Sequence, residues 1–221
     1  MQKVIQYLKD QYGKAYSTAN GVEIASEIQQ LSLSDRKELK SRLFHEARIL
    51  EQKNHDGQSI AWLEYCLALL EEHTFRFHKV YFSPGNDILE VMGDLIDQSK
   101  STIDLCVFTI TDSRLTNKIL QAMKRNVKIR LITDDRKIFD RGSEGFALRN
   151  AGIPVKIDHS QYHMHHKFGI IDQRFAFTGS FNWTYTASKH NNENLLITSK
   201  YALIEQYQEE FDRLWKEMFD L

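Results

Sequence analysis

The stretch His163-Met164-His165-His166-Lys167-Phe168-Gly169-Ile170-Ile171-Asp172, continued through residues 173–178 to Gly179-Ser180-Phe181-Asn182, decides how this chain is read. Two largely apolar runs, 165–171 and 175–178, are joined by Asp172-Gln173-Arg174, which is short enough for an antiparallel hairpin. Alternate residues of a strand face the same way, so His165 and Lys167 are expected to project together. Ser180 and Asn182 can join them from the neighbouring segment, so one hairpin converges four polar side chains. Gly179, just before Ser180, fits a bulge or a close backbone approach to a ligand.

Working upstream, Lys79-Val80-Tyr81-Phe82 reads as a strand ended by Ser83-Pro84-Gly85, and Ile88, Val91, Met92, Leu95 and Ile96 then recur at helical spacing. Strands over 102–109 and 127–133 alternate with a helix over 112–125, and Asp134-Asp135 ends the second of them. A shorter helix near 145–151 and the turn Gly152-Ile153-Pro154 lead to a strand at 155–157. Downstream come a strand at Leu195-Leu196-Ile197 and a closing helix whose apolar face is Ile204, Tyr207, Phe211, Leu214, Trp215 and Met218. The fold class predicted is α/β, a mixed sheet flanked by helices.

Residues 1–75 have a different texture. They read as a small all-helical module with turn signals at Ala19-Asn20-Gly21 and Asn54-His55-Asp56-Gly57. Its clearest helices are 34–53, opened by Ser34-Asp35 with Leu39, Leu43, Ala47 and Leu50 on one face, and 59–72, with Ile60, Leu63, Leu67 and Leu70. The expected division is therefore 1–75 and 76–221, with the boundary near Phe75 and no chemistry visible in the first part.

At 42% hydrophobic and 27% charged, with a net charge of −1, the 221 residues are those of an ordinary globular protein. Cys66 and Cys106 lie in apolar runs, too few and too far apart for a disulfide framework or a tetrahedral zinc site. The opening residues do not form a signal peptide, and no run approaches the roughly 20 apolar residues of a membrane span, so a cytoplasmic location without stable membrane association is expected. A basic face for nucleic acid would have to be local; Lys124, Arg125, Lys128, Arg130, Arg136, Lys137 and Arg141 are the candidates, with a solvated mixed-charge surface as the alternative.

Residue type assigns the chemistry. A neutral imidazole is nucleophilic near its reference pKa of about 6.5, so His165 can attack phosphorus. Lys167 supplies positive charge for the phosphate oxygens, and Ser180 and Asn182 add neutral donors. Asn192-Glu193-Asn194 precedes a strand, which makes Glu193 the candidate to hold an imidazole in one tautomer. The arrangement needs no metal or other cofactor, and Lys167 beside His163 and His165 would repel a cation. What the set lacks is a second histidine of equivalent context to protonate a leaving oxygen; a homodimer would supply one.

His165-x-Lys167, Asp172 and Gly179-Ser180-x-Asn182 resemble, at every fixed position, the HKD signature of the phospholipase D superfamily. The resemblance extends over about 75–221 and is nearest to members with one HKD motif per chain, the bacterial endonucleases and the mitochondrial and piRNA-pathway enzymes. It implies a phospholipase D-like fold, a phosphohistidine intermediate and two chains sharing one site, with His165 catalytic, Lys167, Ser180 and Asn182 on phosphate and Glu193 orienting a histidine. Asp172 is carried over among the catalytic residues, although the family's aspartate is thought to be largely structural.

The leading expectation is a metal-independent nuclease acting on DNA or RNA. The alternative is a phospholipase D or cardiolipin hydrolase using the same residues, and a third reading is an inactive dimeric binding module, against which the intact set of residues argues. Trp183 and Tyr185 could stack on bases or cap the core. Asp134-Asp135 is expected to cap the element that follows it.

Overall fold

The structure is a computed structural model that describes residues 1–17, 21–73 and 77–221. The described chain forms two compact units, Met1–Arg76 and Phe77–Leu221. The Ala19-Asn20 part of the first turn signal and the expected boundary at Phe75 lie outside the described residues.

The first unit contains α1 (Gln2–Asp10), α2 (Val22–Gln29), α3 (Leu33–Asn54) and α4 (Gln58–Glu72). Leu8, Ile28, Leu39, Leu43, Trp62 and Leu69 form its apolar centre. Helix α3 starts earlier than Ser34-Asp35 suggested. Its cap is Ser32, whose Oγ accepts from the Asp35 backbone while Asp35 accepts from the Ser32 backbone, so Asp35 serves as the far side of a capping box. Helix α4 buries the expected Leu70, with Leu63 packed against the core, but most of its core face is Trp62, Tyr65, Cys66 and Leu69, and Ile60 is exposed. Trp62 carries the largest apolar area on this helix, and its indole finds a buried acceptor, donating to the Leu8 carbonyl at 2.7 Å.

The second unit is built on one eight-stranded sheet in the order β1-β7-β6-β5-β2-β3-β4-β8. Its strands are β1 (His78–Phe82), β2 (Thr102–Val107), β3 (Lys128–Thr133), β4 (Val155–Ile157), β5 (Lys167–Ile171), β6 (Phe175–Gly179), β7 (Asn194–Thr198) and β8 (Phe219–Asp220). Strands β2, β3 and β4 are parallel, and the other pairings are antiparallel. The helices are α5 (Asp87–Gln98), α6 (Ser113–Lys124), α7 (Gly145–Asn150), α8 (Tyr185–Lys189) and α9 (Tyr201–Glu217). This is the mixed α/β class expected from the sequence. Strands β2 and β3 are buried almost throughout, as strands covered on both faces should be.

One polar cluster fastens α9 to the sheet. Asp104 of β2 receives two bonds from the Arg130 guanidinium at 2.8 and 2.7 Å and one from Gln208 at 2.9 Å, and Arg130 also reaches Asp212 at 3.0 Å. The guanidinium lies over Phe211 and Trp215. The short strand β8 and helix α8 are elements the periodicity did not reveal, being only two and five residues long.

Candidate active site

The register of β2, β5, β6 and β7 decides what meets what. Lys167 opens β5 and pairs with Val107, while Gly179 closes β6 opposite Leu195 of β7. The C-terminal ends of β2, β3 and β6 and the N-terminal ends of β5 and β7 therefore lie at one edge, where α/β sheets commonly form their ligand crevices. Lys167, Ser180 and Glu193 are gathered there. Strand β5 is shorter than the run expected to form it: His165 precedes the regular strand, although the Phe108 N–H still donates to the His166 carbonyl at 3.0 Å.

The unforeseen organiser of this edge is Phe108, immediately after β2. Its half-buried ring meets the His165 imidazole edge-on at 4.5 Å between centroids and His163 at 5.3 Å. The Lys167 ammonium lies 4.8 Å from the same ring, within cation–π range, and donates to the His165 carbonyl at 2.8 Å. Sequence reasoning passed over Phe108 as one more apolar residue of a strand. Its position just beyond the buried end of β2 was the available signal.

Burial, followed by the neighbouring charges of Lys167 and His163, lowers the His165 pKa below its ordinary value. The imidazole is thus kept in its neutral, nucleophilic form near neutrality. Lys167 is also lowered by burial, against an opposing contribution from Glu193.

Glu193 does something other than orient His165. Its carboxylate accepts the Ser180 hydroxyl and, at 3.0 Å, the Asn191 amide. The Asn194 N–H donates to Ser180 Oγ at 3.1 Å, so the hydroxyl is fixed between two neighbours. Within one chain Glu193 stands beside Ser180 and Asn191, and both of its carboxylate oxygens are engaged on that side. Asn182 Oδ1 is buried without a hydrogen-bond partner among the described residues.

Asp172 does not belong to the site. It lies beyond the far end of β5, about 16 Å of strand from Lys167. There its carboxylate accepts from Lys100 N, Ser101 N, Ser101 Oγ and Thr102 N at 2.7 to 2.9 Å. Asp172 and Gln173 have φ of 53° and 52°, the left-handed geometry of a tight hairpin turn. Its catalytic listing is corrected to a clamp that joins this turn to the start of β2.

Gly179 also has a different reason from a ligand. A Cβ there would lie 2.0 Å from the Asn194 carbonyl oxygen, so the close approach is between β6 and β7. Trp183 is buried, capping the core, and its backbone ties to Thr109, Thr111 and Asp112. It is not available to stack on bases.

Asp134 caps the 3-10 turn Lys137–Phe139 through bonds to the Arg136 and Lys137 N–H groups. It also holds His163 Nδ1 at 2.8 Å while itself fully buried, a second role that the sequence reading missed. Asp134, Asp135 and Asp158 are three carboxylates close enough to hold a cation, with ligand atoms within 4.8 Å of one another. Burial first, then the charges of Asp135 and Asp134, raises the pKa of Asp158. This group follows β3 at the same end of the sheet, beside His163, and the charge of Asp134 opposes the lowering of the His165 pKa.

An HKD hairpin at the edge of a mixed sheet defines a phospholipase D-like domain. The chain belongs to that family: the family model described as "Cardiolipin synthase, PLD-like domain" matches residues 92–215. It is 42% identical over 122 residues to a mitochondrial cardiolipin hydrolase of Chlamydomonas reinhardtii, covering 55% of each chain. To the mitochondrial cardiolipin hydrolase of Homo sapiens it is 38% identical over 119 residues, covering 54% of this chain and 47% of the relative. The chain thus spans about half the length of the curated relatives it matches. Among solved structures, the phospholipase D family member Nuc from Salmonella typhimurium superposes with a TM-score of 0.62 at 27% identity, covering 66% of this chain and 99% of Nuc.

These relatives overturn the expectation of a nucleic-acid substrate, because the curated proteins matched at 38 to 42% identity are named for hydrolysis of a phospholipid. The structure removes the physical support for that expectation as well. Arg130 is committed to Asp104 and Asp212, and Arg125 to the Ile96 carbonyl and Ser99. Lys128 starts β3, at the end of the sheet opposite the site. The seven cations therefore form no single phosphate track, and Arg136, Lys137 and Arg141 are the ones on the segment that follows the site end of β3.

Proposed function

We propose that the chain is a phospholipid phosphodiesterase of the cardiolipin hydrolase type that works through a covalent histidine intermediate. The observation that carries this reading is the 42% identity over 122 residues to a cardiolipin hydrolase, beside a family-model match over residues 92–215 that takes in Phe108, His165, Lys167 and Ser180. A neutral ring nitrogen of His165 attacks phosphorus, forming a P–N bond as the bond to the leaving glycerol oxygen breaks. Lys167 and the Asn182 amide hold the non-bridging oxygens as their charge redistributes, and the Ser180 hydroxyl joins them by turning its proton from Glu193 to the phosphate. Water then attacks the phosphohistidine, giving a phosphomonoester and restoring the imidazole.

The leaving oxygen needs a proton and the incoming water must lose one. In this reading both transfers are made by His165 of a second copy, which makes the working unit a homodimer with one site shared between two hairpins. Glu193 acts on Ser180 and on the charge of Lys167 as a positioning residue.

The reading is tested with the full chain and vesicles of phosphatidylcholine containing cardiolipin, in the presence of EDTA, with His165→Asn as the control. Hydrolysis of one phosphodiester of cardiolipin gives phosphatidic acid and phosphatidylglycerol. Release of both by the wild type and by less than about one hundredth as much of the variant is expected. Equal release by the two, or none by the wild type, would sink it.

A further inference from the structure

Ser83, the residue just past β1, is buried, and its hydrogen bonds go to the turn that carries Glu193. The register of β1 on β7 ends with Phe82 opposite Asn194, and the ladder continues one residue further, where the Ser83 N–H donates to the Glu193 carbonyl at 3.1 Å. The hydroxyl adds two bonds that the end of a strand does not require. Ser83 Oγ accepts from the Glu193 N–H at 3.1 Å and donates to the Asn191 carbonyl at 2.9 Å. Both backbone polar groups of Glu193 are thus held by one buried residue 110 positions earlier in the chain.

The loop that follows Ser83 is itself anchored. The Gly85 N–H donates to the Ser188 carbonyl at 3.0 Å, and the Lys189 ammonium donates to Asn86 Oδ1 at 2.6 Å. Both partners belong to α8, which lies between Asn182 and Glu193 in the chain. Ser83 therefore holds residues 191–193 from a support that is fixed on both sides. The turn it holds is the one that places the Ser180 hydroxyl. The Glu193 carboxylate accepts that hydroxyl and the Asn191 amide, and the next residue, Asn194, donates its N–H to Ser180 Oγ at 3.1 Å.

We infer that Ser83 is a positioning residue of the phosphodiesterase site, acting through Asn191 and Glu193 to fix the Ser180 hydroxyl where an incoming phosphate meets it. The inference rests on the reading of Ser180 as a donor to the phosphate. A carboxylate on a turn moves with its backbone, and a hydroxyl that turns its proton from that carboxylate to a phosphate oxygen depends on where the carboxylate stands. Misplacing a reacting group by about 1 Å can cost about a hundredfold in rate, so a brace on the backbone of Glu193 has leverage on the reaction without touching the substrate. A residue that only ended β1 would need the ladder bond alone, and losing its hydroxyl would leave Ser180 where it is.

The test is a mutant cycle on hydrolysis of soluble bis(p-nitrophenyl) phosphate by the full chain. Ser83→Ala, which removes the hydroxyl and keeps the backbone bond, is expected to lower kcat/KM by about tenfold, but by less than about twofold when Ser180 is already replaced in Ser180→Ala. Thermal melting of the four proteins checks that each is folded at the assay temperature. Ser83→Cys, which fills the same space but bonds weakly, repeats the cycle should Ser83→Ala not fold. Binding of inorganic phosphate, followed by calorimetry, needs no turnover and is expected to weaken by about threefold or more on Ser83→Ala only where Ser180 is present. Wild-type kcat/KM in the folded Ser83→Ala variant, or an equal loss in both backgrounds, would overturn the inference and leave Ser83 as the end of a strand. No hydrolysis by the wild type, with phosphate binding that follows the cycle, would uphold the positioning and reject the proposed reaction. Neither hydrolysis nor phosphate binding by the wild type would reject both.

Discussion

The ring of Phe108 meets the imidazole of His165 at 4.5 Å and an interplanar angle of 61°, while the Lys167 ammonium lies over the same ring at 4.8 Å. One apolar side chain just past β2 therefore meets two charged or titratable groups of β5 and the residues before it. Replacing it with Ala is expected to lower hydrolysis of a soluble diester by about tenfold to a hundredfold, because small displacements of reacting groups are costly. The loss should fall mainly on kcat. Unchanged kcat in the folded variant would show that the ring packs without positioning.

The pH dependence of His165 follows from its lowered pKa. The attacking His165 must be neutral, so on the nucleophile's side activity is retained below the ordinary imidazole value of 6.5 and lost as pH falls through the lowered one, while the proton donated by the second copy's His165 sets the opposite limb. NMR titration of His165 should give a midpoint under 6.5 in the wild type and a higher one in Lys167→Gln, still under 6.5 because burial is the larger cause. A wild-type midpoint at or above 6.5 would contradict the assignment.

Asp172→Ala removes the acceptor for four hydrogen bonds that hold residues 100–102 to the hairpin turn. A loss of about 2–4 kcal/mol is expected, because buried donors are left unpaired. Thermal melting should record it, while turnover measured well below the melt stays within a few-fold of wild type. Loss of turnover without loss of stability would return Asp172 to the catalytic set.

Gly179→Ala is expected to fail differently. The new Cβ would sit 2.0 Å from the Asn194 carbonyl oxygen, and the Ser180 N–H donates to that same oxygen at 3.2 Å. Parting β6 from β7 would move Ser180, so a fall of about a hundredfold in activity is expected together with about 1–3 kcal/mol of stability. A variant with wild-type activity would mean that the strands can separate without disturbing the hydroxyl.

What could be read from the chain alone was what depends on local spacing. The alternation of buried β-branched runs with amphipathic helices declared an α/β sheet, and the His165, Lys167, Gly179, Ser180 and Asn182 spacing declared the hairpin and its family. These are short-range signals, carried by residues within one or two elements. The tertiary structure decided which distant residues share an edge. Register brought Phe108 to His165 and Lys167, sent Asp172 to the opposite end of β5, and turned Glu193 toward Ser180. It also dispersed a basic cluster that looks continuous on paper, since a guanidinium beside two carboxylates on other elements is no longer a free charge. Pairings over many tens of residues are set by how strands stack and which side chains then compete for one partner, and no periodicity within a single segment carries that information.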